Sequence, residues 1–324
     1  NFHGFLLHGV TGSGKTEVYL SITQAILKKG GQVLVLVPEI GLTPQMIARF
    51  EERIEAKVVA VHSQLNESQK LDAYLMAKTG EAGVVLGTRS AIFTPMPNLG
   101  LVIVDEEHDG SYKQEDLPRY NARDVARKRG QLEGALVILG SATPQLETFY
   151  QSVQGGELEY ESLDSRILER PLPTVQVVDM RAELATHGAD MILSAPLVER
   201  LENRLERREQ ALILLNRRGY AASVLCRQCG QTLECPNCSI TLTFHRHAGR
   251  VRCHYCDYSQ GRPKVCPHCA GPYLEWVGFG TERIEKELAE VFPDARVARL
   301  DGDTVRKRGM AAAILSRFED RQID

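Results

Sequence analysis

The sequence predicts an α/β protein with two parallel-sheet units, the second broken by a cysteine-rich insertion. Three observations carry this expectation. Short runs of Val, Ile and Leu alternate with helix-patterned stretches through the first half. A polar motif follows directly after each run. All eight cysteines of the 324 residues fall between 226 and 269, inside a second strand–helix pattern. Continuously apolar runs suit strands covered on both faces, and alternation with helices implies parallel pairing through right-handed crossovers.

The elements follow in order. "FLLHG" (5–9) is the first strand. "TEVYLSITQAILKKG" has apolar residues at helical spacing and ends in Lys-Lys-Gly, a helix stop. "QVLVLVP" (32–38) is a strand, and "TPQMIARFEERIEA" opens on Thr-Pro as an amphipathic helix. Further strands are expected at 83–87, 99–106 and 135–142. "GSGKT", "PEIGLT", "GTRS", "DEEH" and "GSAT" each follow one of these strands. Ligands of open parallel sheets bind beyond the carboxyl ends of the strands, so the five motifs are expected along one edge. The first domain is placed at 1–155 and a Gly-, acid- and Pro-bearing linker at 156–175. The second unit starts over 176–225, with a strand at 175–180, a helix near 196–208 and a strand at 210–216. The cysteine module occupies 226–269, and 270–324 resumes the unit with "LEWVGFGTERIEKELAEVF" and "ARVARLDGD".

Composition is ordinary for a globular chain, with 43% hydrophobic and 25% charged residues. The formal net charge of −3 excludes a bulk basic signature, so any nucleic-acid site must be a local patch. No apolar run reaches membrane-spanning length and no signal peptide is visible, so no membrane partner and a cytoplasmic location are expected. The chain opens on Asn1 and closes on "DRQID", which reads as a piece of a longer protein with an incomplete second unit.

Gly9-Val10-Thr11-Gly12-Ser13-Gly14-Lys15-Thr16 fits the phosphate-loop pattern G-x-x-x-x-G-K-[ST] between a strand and a helix. Gly9, Gly12, Ser13, Gly14, Lys15 and Thr16 are the expected ATP-binding residues. The glycines turn amides toward a phosphate at a helix N-terminus, Lys15 reaches the terminal phosphates, and the Thr16 hydroxyl serves Mg²⁺. Asp105 and Glu106 follow "LVIV". Asp105 suits the metal, directly or through water, and Glu106 suits deprotonation of the attacking water. A lone His is more often structural, so the residues alone leave His108 open.

The cysteines form four Cys-x-x-Cys pairs: Cys226/Cys229, Cys235/Cys238, Cys253/Cys256 and Cys266/Cys269. In a chain with no export signal this pattern reads as metal binding rather than disulfides. Zn²⁺ takes four thiolates, so two zinc ions are expected, with iron as the substitute in an expressed sample. The inner pairs are separated by a zinc-ribbon spacing and the outer pairs then close the base, which favours nesting over sequential pairing. His245, His247, His254 and His268 are read as bystanders. Zinc replaces a core too small to hold itself. "TFHRHAGRVRCHY" gathers His, Arg, Phe and Tyr into a face suited to a nucleic-acid strand.

Lys15 with "DEEH", "GTRSAIF" and "GSATP" in this order resembles the superfamily 2 DExH helicases. The series "LHGVTGSGKTEVY", "PEIGLTPQ", "GTRSAIFTP", "DEEHDGSYKQ", "GSATPQLET", "LNRRGYA", the four cysteine pairs and "GFGTERIE" resembles the PriA family of replication-restart helicases along the whole chain. The resemblance implies two RecA-like lobes, the nested zinc pairing, and ATP-driven 3′ to 5′ DNA unwinding. It also implies recognition of stalled forks and partnership with primosome and single-strand-binding proteins, acting as a monomer. By position it makes Lys15, Asp105, Glu106 and His108 catalytic and gives Ser141 and Thr143 the coupling of hydrolysis to movement. Thr88, Arg89, Tyr112, Lys113, Arg119 and Tyr120 become DNA contacts, with packing on its own domain as the alternative for either tyrosine taken singly. The resemblance also implies an N-terminal DNA-binding region, an adenine-reading glutamine and a later γ-phosphate-sensing arginine outside these residues. Without them the chain is expected to bind or hydrolyse nucleotide poorly. A non-unwinding DNA translocase and a zinc-bearing scaffold switched by ATP are the alternatives.

Overall fold

The structure is a computed structural model that describes residues 3–38, 44–63, 65–169, 171–188, 192–215, 224–245, 248–275, 280–305 and 309–324. It divides into two compact units, Asn1–Pro173 and Thr174–Asp324.

The first unit is a seven-stranded sheet in which every pairing is parallel. Its strands are β1 (Gly4–Gly9), β2 (Gln32–Leu36), β3 (Lys57–Val61), β4 (Ala82–Gly87), β5 (Leu99–Val104), β6 (Leu136–Ser141) and β7 (Leu158–Leu163). Their spatial order is β3-β4-β2-β5-β6-β1-β7. The helices are α1 (Lys15–Lys28), α2 (Pro44–Arg53), α3 (Glu67–Thr79), α4 (Ala122–Glu133) and α5 (Leu146–Val153). Alternate strand residues face opposite ways. Leu34 and Leu36 join one core with Ala77, Ala122 and Ala126, while Val33 and Val35 join another with Tyr19, Leu20, Phe50 and Ile54. Helices therefore cover both faces, which is why β2, β4 and β5 read as unbroken apolar runs.

All five strands expected in this unit are present, and β3 and β7 add to them. The sequence reading places 156–175 in a linker, whereas Leu158–Leu163 is β7, hydrogen-bonded along β1 from Gly4 to Gly9. As an edge strand it buries only Leu158 fully and leaves Glu159 to Ser162 exposed, so it carries no apolar run to betray it.

The second unit contributes α6 (Met180–His187), α7 (Ala195–Glu206), α8 (Thr281–Val291) and α9 (Met310–Glu319). Leu193, Leu201 and Leu288 form a small core there with Val198, Ile213, Ile284 and Phe292. Among the described residues the expected strands at 175–180 and 210–216 join no ladder, and this unit has no parallel sheet. Val175 and Val177 are 81% and 92% exposed, and Leu212 and Leu214 are 85% and 87% exposed. Among the described residues these runs have the alternation of strands without a ladder to make a strand stable, although the Ala211 amide donates 2.7 Å to the Asp324 carbonyl. Residues 39–43 of "PEIGLT", 216–221 of "LNRRGYA" and 276–279 lie outside the described residues.

The cysteine module is a set of short ladders. β9 (Thr243–His245), β10 (Arg250–Arg252) and β11 (Ser259–Gly261) form an antiparallel sheet. β8 (Leu225–Cys226) and β12 (Leu274–Glu275) pair antiparallel and bring the two ends of the module together. Its core is Leu233, Leu242 and Val251 packed with four buried cysteines. No helix among the described residues is long and apolar enough to cross a membrane.

Candidate nucleotide site and metal centres

Gly9 ends β1, and the loop after it turns into α1 through Gly12 and Gly14, whose φ angles are 82° and 95°. Only glycine adopts this left-handed region cheaply, and the result leaves the first amides of α1 without helix partners. The Lys15 side chain is 9% exposed, and its ammonium donates 2.8 Å to the Gly9 carbonyl. Ser13 Oγ is buried without a hydrogen-bond partner among the described residues. A buried hydroxyl left unpaired beside turned-in amides fits an oxyanion placed in the loop. Residues after β7 bear on the same loop: the Ile167 amide donates 3.0 Å to the Gly12 carbonyl, and Arg166 Nε donates 2.8 Å to the Thr11 carbonyl.

Asp105 leaves the end of β5 with its amide on the Leu36 carbonyl at 2.9 Å. The Tyr19 hydroxyl donates 2.9 Å to Asp105 Oδ1, and the Tyr112 hydroxyl donates 2.6 Å to the Asp105 carbonyl. Burial pushes the Asp105 carboxyl above the usual carboxylate range, against the Tyr19 hydrogen bond that pulls it down. A buried carboxylate penalised in this way suits a bound cation. Glu106 takes a φ of 46°, unusual for a residue with a side chain, and lies 3.9 Å from Lys15 Nζ. His108 Nδ1 lies 3.6 Å from Glu106 and shares a 2.7 Å hydrogen bond with Ser141 Oγ at the end of β6. Ser141 Oγ also accepts the Thr143 amide at 3.0 Å, and Thr143 Oγ1 lies 3.5 Å from His108 Nε2. β1, β6 and β5 are consecutive in the sheet, so their three motifs meet at one edge.

Glu107, the residue of "DEEH" to which the sequence reading gives no role, is the anchor of this edge. Its side chain is 0% exposed and accepts from the Gln145 amide at 2.7 Å, Thr148 Oγ1 at 3.1 Å and Arg123 at 3.2 Å. Arg123 also bonds the Gln145 side chain. Glu107→Ala leaves the 12% exposed Arg123 with the more exposed Asp124, 3.2 Å from its Nε, as its remaining carboxylate partner among the described residues, and removing one partner of a buried pair costs about 3–5 kcal/mol. Urea unfolding of the variant is expected to show that loss; a change below about 1 kcal/mol would mean the network is slack.

The expected DNA contacts divide. Tyr112 is 1% exposed and belongs to the core, so it is not a stacking surface; a short helical turn at Gly110–Tyr112 aims its ring inward. Thr88 is 7% exposed. Arg89 donates 2.6 Å to the Lys113 carbonyl and 3.2 Å to the Ser111 carbonyl, tying the turn after β4 to the loop after Asp109. Lys113 and Arg119 are exposed, and Tyr120 is half-buried edge-on to Phe93. Thr88, Arg89 and Tyr120 line a polar cavity of about 100 Å³ with Ser63, Ser111 and Gln114.

The cysteines gather as two groups, Cys226–Cys229–Cys266–Cys269 and Cys235–Cys238–Cys253–Cys256, so the pairs nest. Sulfurs lie 3.7 Å apart in Cys226–Cys269 and Cys229–Cys266, and 3.5 Å apart in Cys235–Cys256. A tetrahedron with Zn–S bonds of about 2.3 Å has edges of about 3.8 Å, whereas a disulfide needs about 2.05 Å. The donor set therefore fits zinc. Each pair is built alike. The first cysteine's amide donates to the carbonyl five residues on, and its carbonyl accepts from the residue four on, in all four turns. That fourth residue is Gly230, Ser239, Asp257 or Ala270, each at positive φ. The Tyr258 amide draws the Cys256 thiol down to about 6, and the adjoining Cys256 thiol pushes Cys238 up to about 12. Zn²⁺ binds thiolates, so a cation entering either group would displace the protons these sulfurs still hold. Neither group includes a His among the described residues; His247 lies outside them.

Comparison with known proteins bears on the same residues. Residues 2–151 match the DEAD/DEAH box helicase family, and residues 235–260 match the PriA DNA helicase Cys-rich region domain. The chain is 47% identical over 320 residues to the replication restart protein PriA of Bacillus subtilis, covering 99% of this chain and 40% of that protein. It is 48% identical over 331 residues to the PriA protein of Synechocystis, covering 100% of this chain and 40% of that one. The chain thus spans about two fifths of the length of these relatives. The solved structure of RecG bound to a three-way DNA junction aligns over 52% of this chain and 21% of that one, at 26% identity and a TM-score of 0.40, too distant a likeness to carry an argument.

Proposed function

The chain belongs, over the stretch it shares with them, to the PriA family of replication restart proteins, and from that premise we propose that the whole protein is an ATP-dependent DNA helicase. It unwinds 3′ to 5′ at stalled or branched forks and works with primosome and single-strand-binding proteins as a monomer. One observation supports the motor reading most. Lys15, Glu106 and His108 lie within 3.9 Å links of one another at adjacent strand ends, and His108 is bonded to Ser141.

ATP is the substrate. The amides from Gly12 to Thr16 would hold its phosphates, with the Ser13 hydroxyl as an added donor. Lys15 would exchange the Gly9 carbonyl for a terminal phosphate oxygen, and Glu106 would take the proton of the attacking water. Thr16 and Asp105 would hold Mg²⁺, which neutralises charge on the phosphates. His108 would pass the state of the phosphates to Ser141 and Thr143, and so to movement between lobes. Arg89, Lys113, Arg119 and Tyr120 would meet the strand, phosphates on the cations and a base on the ring; Thr88 would act through its turn. Two zinc ions would hold the module.

The test is ATP turnover and strand separation by the full-length protein on forked DNA. DNA-stimulated turnover with duplex separation supports the helicase. Turnover without separation favours a translocase.

A further inference from the structure

We propose that Tyr19 is a positioning residue for Asp105, setting the rotation of its carboxylate so that the acid meets a divalent cation already aligned. The proposal rests on the reading of Asp105 as the metal acid. Tyr19 lies one turn beyond Thr16 on α1, so the same helix face carries both hydroxyls toward the strand ends. Its ring is wholly buried, and its hydroxyl donates 2.9 Å to Asp105 Oδ1. The Tyr112 hydroxyl grips the main-chain carbonyl of the same residue at 2.6 Å. Asp105 is thus held at both ends by buried phenols.

The third part of the device is Gly140 on β6, the strand between β5 and β1. A Cβ on Gly140 would sit 1.6 Å from the Tyr19 hydroxyl oxygen. Any side chain there must push the phenol off Asp105. The glycine of "GSAT" therefore keeps open the space through which α1 reaches Asp105. A preset carboxylate binds without first losing rotational freedom, which is the gain that preorganised ligands bring.

The experiment titrates MgCl₂ into the full-length protein with a fluorescent ADP analogue, and also measures affinity for that analogue in EDTA. Tyr19→Phe is expected to raise the Mg²⁺ half-saturation point about five- to tenfold, the scale of one ordinary hydrogen bond. Affinity in EDTA is expected to stay within about twofold, because the phosphate loop does not touch the phenol. Gly140→Ala is expected to shift the Mg²⁺ point in the same direction. Unchanged Mg²⁺ dependence in both variants overturns the proposal, as does an equal loss of affinity with and without metal. Asp105→Asn separates the two levels. If it moves the Mg²⁺ point while Tyr19→Phe does not, positioning alone is wrong. If it moves nothing, the metal assignment of Asp105 falls.

Discussion

Lys15→Ala is expected to leave the full-length protein folded while cutting ATP turnover at least about a hundredfold, the scale on which a preorganised group stabilising transferred charge is missed. The side chain is 9% exposed, and among the described residues its ammonium is held by the Gly9 carbonyl and the more distant Glu106. Truncation therefore removes a charge aimed at the loop without emptying either core cluster. Circular dichroism and melting check the fold, and nucleotide affinity and hydrolysis check the site. A variant that keeps full turnover and full unwinding would defeat the assignment of Lys15 to the terminal phosphates, whereas a parent protein with no DNA-stimulated turnover at all would defeat both motor readings and leave the scaffold.

The second large effect concerns metal. Cys253→Ser is expected to lower bound zinc from two ions per chain to about one and to unfold the inner half of the module. Structural zinc contributes roughly 10–16 kcal/mol of folding free energy in small metal-held domains. Cys253 is fully buried among Leu233, Leu242 and Val251, so a neutral hydroxyl there loses both the ligand and its packing. Nucleotide affinity is expected to hold, because the phosphate loop belongs to the unit ending at Pro173. Zinc analysis and nucleotide titration of the same preparation decide it. Affinity falling in step with zinc would mean the two are one cooperative body.

What the sequence reveals depends on how local the cause is. The phosphate loop, the acids after β5 and the four cysteine pairs are legible because their chemistry sits in consecutive residues with fixed spacing. The nesting of the metal sites is legible from the gap between pairs. Tyr112 is misread because its inward aim is decided by a short helical turn and by a carbonyl seven residues back. β7 escapes because an edge strand needs little apolar surface. Tyr19 reads as one more apolar residue of α1, since its partner lies 86 residues away. The strands expected at 175–180 and 210–216 show the converse: alternation alone proposes a strand, and only a neighbour's ladder makes one.

The pairing of Leu225 with Glu275 and of Cys226 with Leu274 has a further consequence. Topologically, everything between them is the loop of a hairpin whose stem is that two-stranded ladder. A loop can lengthen or shorten at little cost to its stem, because closure entropy grows only with the logarithm of loop length. The module is therefore a cassette: lineages can elaborate its outer face, or an engineer can graft another ribbon onto the stem, and the chain on either side still begins and resumes at the same place.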